Sequence, residues 1–191
     1  MGMWQKAKLV LREPTVFFSH LRTKEKGVRD AFKFYAIFSL VGIILTILVH
    51  PLNTAIWKGI FFPMAEALSS TSTGQMAVTQ IINYVLGLPF SFVMAGILHV
   101  WILIWSGREP YSKTYQLSVY SATPYFLFGW IPILGSLVFI YWLVLIIIGT
   151  QHVQRIPKTK SMLMYILPIA LLILFLIAVF GWAFMTQLPL M

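Results

Sequence analysis

The chain contains no cysteine and only five acidic residues, none of them inside a long apolar stretch. The first absence excludes disulfides, thiol nucleophiles and cysteine metal sites. The second excludes an intramembrane aspartyl pair and disfavours ion-coupled transport, both of which need carboxylates at bilayer depth. No His-Glu-x-x-His, Gly-x-Ser-x-Gly or phosphate-cradling glycine loop occurs either. Charge of any sign is scarce: 10% of residues are charged, where a soluble domain has about a quarter. The longest polar segment is the N-terminal 33 residues, too short for a core of its own, so a second, aqueous domain is excluded as well.

What the chain has instead is apolar length. Apolar stretches run over about 34–50, 77–105, 115–130, 131–150 and 163–187. The weakest is the third, with Pro124 inside it and fewer than the roughly 20 residues that a straight span needs. Charge resolves it. Residues 1–33 hold eight bases against three acids, net +5, and residues 51–76 are neutral. Residues 106–114 are net +1, from Arg108 and Lys113 against Glu109, and residues 151–162 are net +3, from Arg155, Lys158 and Lys160. Bases stay on the side from which a chain is inserted. Five crossings put all three basic segments on that side, and four would split them.

The expected fold class is therefore all-α: a polytopic membrane protein, a five-transmembrane-helix bundle with an interfacial N-terminal helix. Residues 1–33 form the basic interfacial segment, 34–187 the membrane domain and 188–191 a tail. The N-terminus lies inside and the C-terminus outside, and the first span reads as an uncleaved signal anchor. The formal charge of +9 then reads as an inner-face membrane signature rather than a nucleic-acid site.

Local signals add detail. Phe17, Phe18 and Leu21 form an apolar face beside Arg22 and Lys24, the composition of a helix lying in the headgroup layer, with a solvated tail as the alternative. Ser39, Gly42, Thr46 and His50 line one stripe of the first span, and Pro51 ends or kinks it. A surface helix carrying Trp57, Phe61, Met64 and Leu68 follows. In the second span Gly87, Ser91, Ala95 and His99 recur every four residues, a stripe that lets two helices approach closely. Spans three and four meet at the corner Phe128-Gly-Trp-Ile-Pro132, and span five is a plain, lipid-exposed anchor.

Chemistry is thin. His50 and His99 differ by something like 10–15 Å in depth, too far for a shared metal, so each is expected to bond a neighbouring helix. No metal and no cofactor is expected. A serine mechanism would need Ser91 or Ser121 beside His99, and hydroxyls bonded within or between helices are the simpler reading. Pro124 frees a carbonyl one turn earlier, near Tyr120, and so opens a structural site. The candidate packing or ligand seam is Gly87, Ser91, Ala95, His99, Tyr120, Ser121 and Pro124. The candidate basic inner face is Arg108, Lys113, Arg155, Lys158 and Lys160.

The segment Tyr120-Ser-Ala-Thr-Pro124, with the exit Gly149-Thr-Gln-His152 and the early Arg12-Glu-Pro-Thr-Val-Phe-Phe18, resembles the Yip-domain (Ypt-interacting-protein) family over about residues 8–187. The resemblance implies a cytosolic N-terminus, five spans, a Tyr-Ser-x-x-Pro segment in the third and a glycine-then-polar exit from the fourth. Eukaryotic members carry Gly-Tyr where this chain has Val119-Tyr120, and an acidic Asp-Leu-Tyr-Gly-Pro segment that is missing here. The chain thus resembles the short prokaryotic members, which implies the prokaryotic cell membrane and carries over no trafficking role.

The expected function is non-enzymatic: an interaction or membrane-organising component. Its expected partners are membrane lipids, a protein at the inner face or a second copy of the chain, and not nucleic acid. The rivals are a small permease or lipid-handling protein using a seam between spans two and three, and an intramembrane hydrolase.

Overall fold

A computed structural model describes residues 2–24, 27–60 and 72–187. Among them the regular structure is helical: α1 (Met3–Arg12), α2 (Pro14–Lys24), α3 (Arg29–Ile60), α4 (Thr73–Ile104), α5 (Tyr111–Ser121), α6 (Thr123–Phe128), α7 (Leu134–Gln154) and α8 (Lys158–Gln187). Four of these, α3, α4, α7 and α8, are long and apolar enough to cross a membrane.

The helix ends follow local chemistry. Ser72 and Gln75 form a reciprocal capping box at the start of α4, with Gln75 N–H donating to Ser72 Oγ at 3.2 Å and Ser72 N–H to Gln75 Oε1 at 3.0 Å. Pro110 precedes α5, and Arg155 ends α7 in the left-handed region, φ 57°. Of the two expectations for Pro51, that it ends the first span is not met: α3 runs through it to Ile60. A helix that continues through proline loses one backbone bond, whereas a break in an apolar setting strands a whole turn of them. The surface helix expected around residues 61–68 lies outside the described residues.

The third apolar stretch is two short helices. α5 and α6 meet at Ala122 and are flanked on one side by α3 and on the other by α7. Gly42 of α3 admits this packing, since a Cβ there would lie 2.9 Å from the Phe126 carbonyl oxygen. The corner that follows is held by Asn53, whose Nδ2 donates to the Trp130 carbonyl at 3.3 Å.

The main departure from expectation is at the N-terminus. α1 and α2 form a helical hairpin whose apolar face is inside the protein. Ala7, Val10, Phe17, Phe18 and Leu21 are all buried, joining Phe34, Leu117, Tyr120 and Leu145 in one core. The face assigned to the headgroup layer is thus packed on α5 and α7. Sequence periodicity shows that a helix has an apolar face and leaves open what covers it. The hairpin turn reaches far along the bundle: Tyr141 Oη donates to the Leu11 carbonyl at 2.6 Å, roughly 20 Å from the Gln154 end of α7.

Candidate functional site

The Gly87–His99 stripe of α4 faces α3 and α5 as a close-packed seam. Tyr35 Oη donates to the Gly87 carbonyl at 3.4 Å, and Ala95 is fully buried. Ser91 Oγ donates to the Leu88 carbonyl at 2.7 Å and lies 3.1 Å from Tyr115 Oη. His99 Nδ1 lies 2.8 Å from Thr114 Oγ1. The pairing that a serine mechanism requires is therefore not made, because Ser91 is engaged by Tyr115 and His99 by Thr114. His99 bonds a neighbouring helix as expected. His50 Nδ1 is buried with no partner among the described residues.

From Thr114 a chain of hydrogen bonds runs to the end of the bundle. Gln154 Nε2 donates to Thr114 Oγ1 at 3.0 Å, and Glu109 N–H donates to Gln154 Oε1 at 3.1 Å. Gln154 and Thr114 were not singled out in the sequence. Gln154 stands one turn after Thr150, itself buried and 2.8 Å from Tyr165 Oη, so a polar i, i+4 pair at the end of an apolar helix was the available signal.

Tyr120, Ser121 and Pro124 belong to a different neighbourhood, against α1, α2 and α3. The Tyr120 ring packs edge-on to Phe17 and Phe34, each with centroids 5.0 Å apart. Lys6 Nζ donates to Tyr120 Oη at 3.3 Å and sits 5.6 Å from its ring centroid. Ser121 and Pro124 are buried, and Ser121 Oγ has no hydrogen-bond partner among the described residues. The expected seam thus divides in two: Gly87, Ser91, Ala95 and His99 on one side of α5, Tyr120 on the other.

The basic segments gather at one end of the bundle. Lys160 Nζ donates to Ser106 Oγ at 2.9 Å, joining the 106–114 and 151–162 segments. Arg155 Nε lies 3.7 Å from a Glu109 carboxylate oxygen, and Arg22 of α2 shares a surface pocket with Arg155. Arg108, Arg155 and Lys158 are exposed there and Lys160 half-buried. Lys113 corrects the expected set. It is 7% exposed, and its ammonium donates to the Leu21 carbonyl at 2.5 Å. A cation there satisfies a last-turn carbonyl of α2 and complements the negative end of its dipole, so Lys113 holds the hairpin instead of facing a partner.

Two further hollows lie near this end. One is an apolar cleft of about 680 Å³ between α4, α7 and α8, and the other a basic pocket of about 470 Å³ around Arg108, Arg155 and Lys160. Among the described residues, no three His, Asp or Glu side chains come together as a metal site requires.

Long apolar helices around a polar-lined, close-packed third element define an all-α membrane protein. The Yip1 domain model matches residues 8–180, and the chain belongs to the Yip1-domain family of membrane proteins. No curated protein and no solved structure matches the chain.

Proposed function

We propose that the chain is a non-enzymatic, five-span membrane protein. It acts as an interaction or membrane-organising component that meets lipid or a protein partner through its basic end, with the N-terminus inside the cell and the C-terminus outside. The observation carrying this reading is the gathering of all three basic segments at one end, with Lys160 and Ser106 in direct contact. The packing of both α5 and α6 between α3 and α7 supports five crossings.

The length of the helices supports an inner-face role for the hairpin. α3 and α4 have 32 residues each, roughly 48 Å, against about 30 Å of hydrocarbon. The surplus allows the basic end, with the exposed Ser19 and His20 of the hairpin, to stand at headgroup level. The close-packed seam along Ala95 counts against a permease path between spans two and three.

The test is co-purification in mild detergent with Arg22, Arg108, Arg155 and Lys158 changed to glutamine. Loss of bound anionic lipid or of a protein partner is expected. Unchanged binding, or solute flux through the unmodified protein in liposomes, would refute the reading.

A further inference from the structure

The basic pocket and the apolar cleft are consecutive along the same two helices. On α4 the cleft ends at Trp101 and the pocket begins at its C-cap residue Trp105, one turn on, with ring centroids 6.0 Å apart. On α8 the pocket ends at Lys160 and the cleft begins at Met164, again one turn on. The two helices are bridged at this level, by Trp101 Nε1 donating to the Met164 carbonyl at 3.3 Å and by Lys160 Nζ to Ser106 Oγ. The bridge separates a charged compartment from an apolar one by about one helical turn, some 5 Å.

The two compartments ask for different chemistry. Arg108, Arg155 and Lys160 against Glu109 leave two positive charges on the pocket wall. Guanidinium groups match the paired oxygens of a phosphate. Glu109 engages Arg155 at 3.7 Å, long for a charge-assisted bond, and the Arg155 side chain is 67% exposed. The cleft is walled by Ile97, Leu98, Trp142, Leu143, Ile146 and Ile169, and its volume lies within the range of about 300–1,000 Å³ usual for ligand sites. Val100 on α4 and Leu163, Ile166 and Leu167 on α8 continue that apolar surface outward, toward where acyl chains would lie.

We propose that an anionic phospholipid occupies this site, its phosphate in the pocket at Arg108, Arg155 and Lys160 and an acyl chain in the cleft between α4, α7 and α8. A free phosphate shares the headgroup chemistry and gives the cleft no occupant. The proposal rests on reading the chain as a lipid-contacting membrane protein with this end at a headgroup layer, and it names the lipid class and the residues.

The test uses the full chain in phosphatidylcholine vesicles, with brominated phosphatidylglycerol or brominated phosphatidylcholine added at equal fractions. Bromine on the chains quenches nearby indoles, and W101F and W105F isolate the relevant signal. Brominated phosphatidylglycerol is expected to quench Trp101 and Trp105 more strongly. The double variant R108Q/K160Q should weaken that preference about five-fold per charge removed, taking about 1 kcal/mol for each. L143F, which fills part of the cleft without adding an indole and leaves the pocket intact, should reduce quenching while the protein keeps its helical circular dichroism. Equal quenching by the two lipids would overturn the proposal, as would a preference unaffected by R108Q/K160Q. Inorganic phosphate that competes at the pocket without altering chain quenching would assign the site to a soluble anion instead. Partners that still co-purify while the two lipids quench equally would defeat this site alone and leave the broader reading standing.

Discussion

Lys113 and Lys158 look alike in the sequence, each a base just outside an apolar stretch, and the structure gives them opposite roles. Lys113 is buried with its ammonium on the Leu21 carbonyl, 92 positions away, while Lys158 is exposed in the first turn of α8. Nothing in the spacing around residue 113 marks so distant a partner. Lys113→Met should therefore lower stability by about 1.5–3 kcal/mol, the usual worth of a hydrogen bond to a charged group. Lys158→Met should leave unfolding unchanged, and thermal melts in one detergent compare the two. Gly149 was legible only as part of a resemblance, and packing now supplies its reason. A side chain there would run into Leu117 of α5 and Phe18 of α2, whereas Gly181 faces open space. Gly149→Leu is expected to cost about 1–3 kcal/mol by overpacking, and Gly181→Leu to be neutral in the same melts.

At the scale of elements, the long helices were readable because an apolar run of membrane length has few alternatives. The bounds of α4, α7 and α8 follow the expected spans closely, and α8 is exposed from Ala170 to Trp182, as a plain anchor would be. The N-terminal hairpin was legible as amphipathic helix and not as core, since its apolar face is defined largely by α5 and α7, some 90 or more residues downstream. The distinction is measurable. Deleting residues 2–24 from a peripheral hairpin would be tolerated. Here it removes Phe17, Phe18 and Leu21 from beside Tyr120 and Leu117, each worth about 1.5–3 kcal/mol of burial. The truncated chain should aggregate on extraction, which gel filtration would reveal. Recovery of a monodisperse, fully helical product would show the hairpin to be dispensable.

At the scale of the molecule, the charge alternation assigned the basic segments to one side of the membrane. Residues 106–114 and 151–162 are far apart in the chain and their side chains touch. The division of the α4–α5 seam from the Tyr120 cluster was not foretold, because it depends on which side of α5 each residue faces. The absence of cysteine makes the orientation directly testable, since any single cysteine introduced is the only thiol. In intact cells Thr73→Cys should react with a membrane-impermeant maleimide. Thr159→Cys, also exposed, should react only after permeabilisation. Labelling of both in intact cells would rule out the proposed arrangement.

The Leu11–Tyr141 contact also has a consequence in time. The two residues are separated by 130 positions, so the hairpin leaves the ribosome well before the helix that receives it. At about 5–20 residues per second, the delay is roughly 6–26 s. Throughout that interval Phe17, Phe18 and Leu21 lack their α5 and α7 partners, and the headgroup layer beside the inserting chain is the nearest shelter for them.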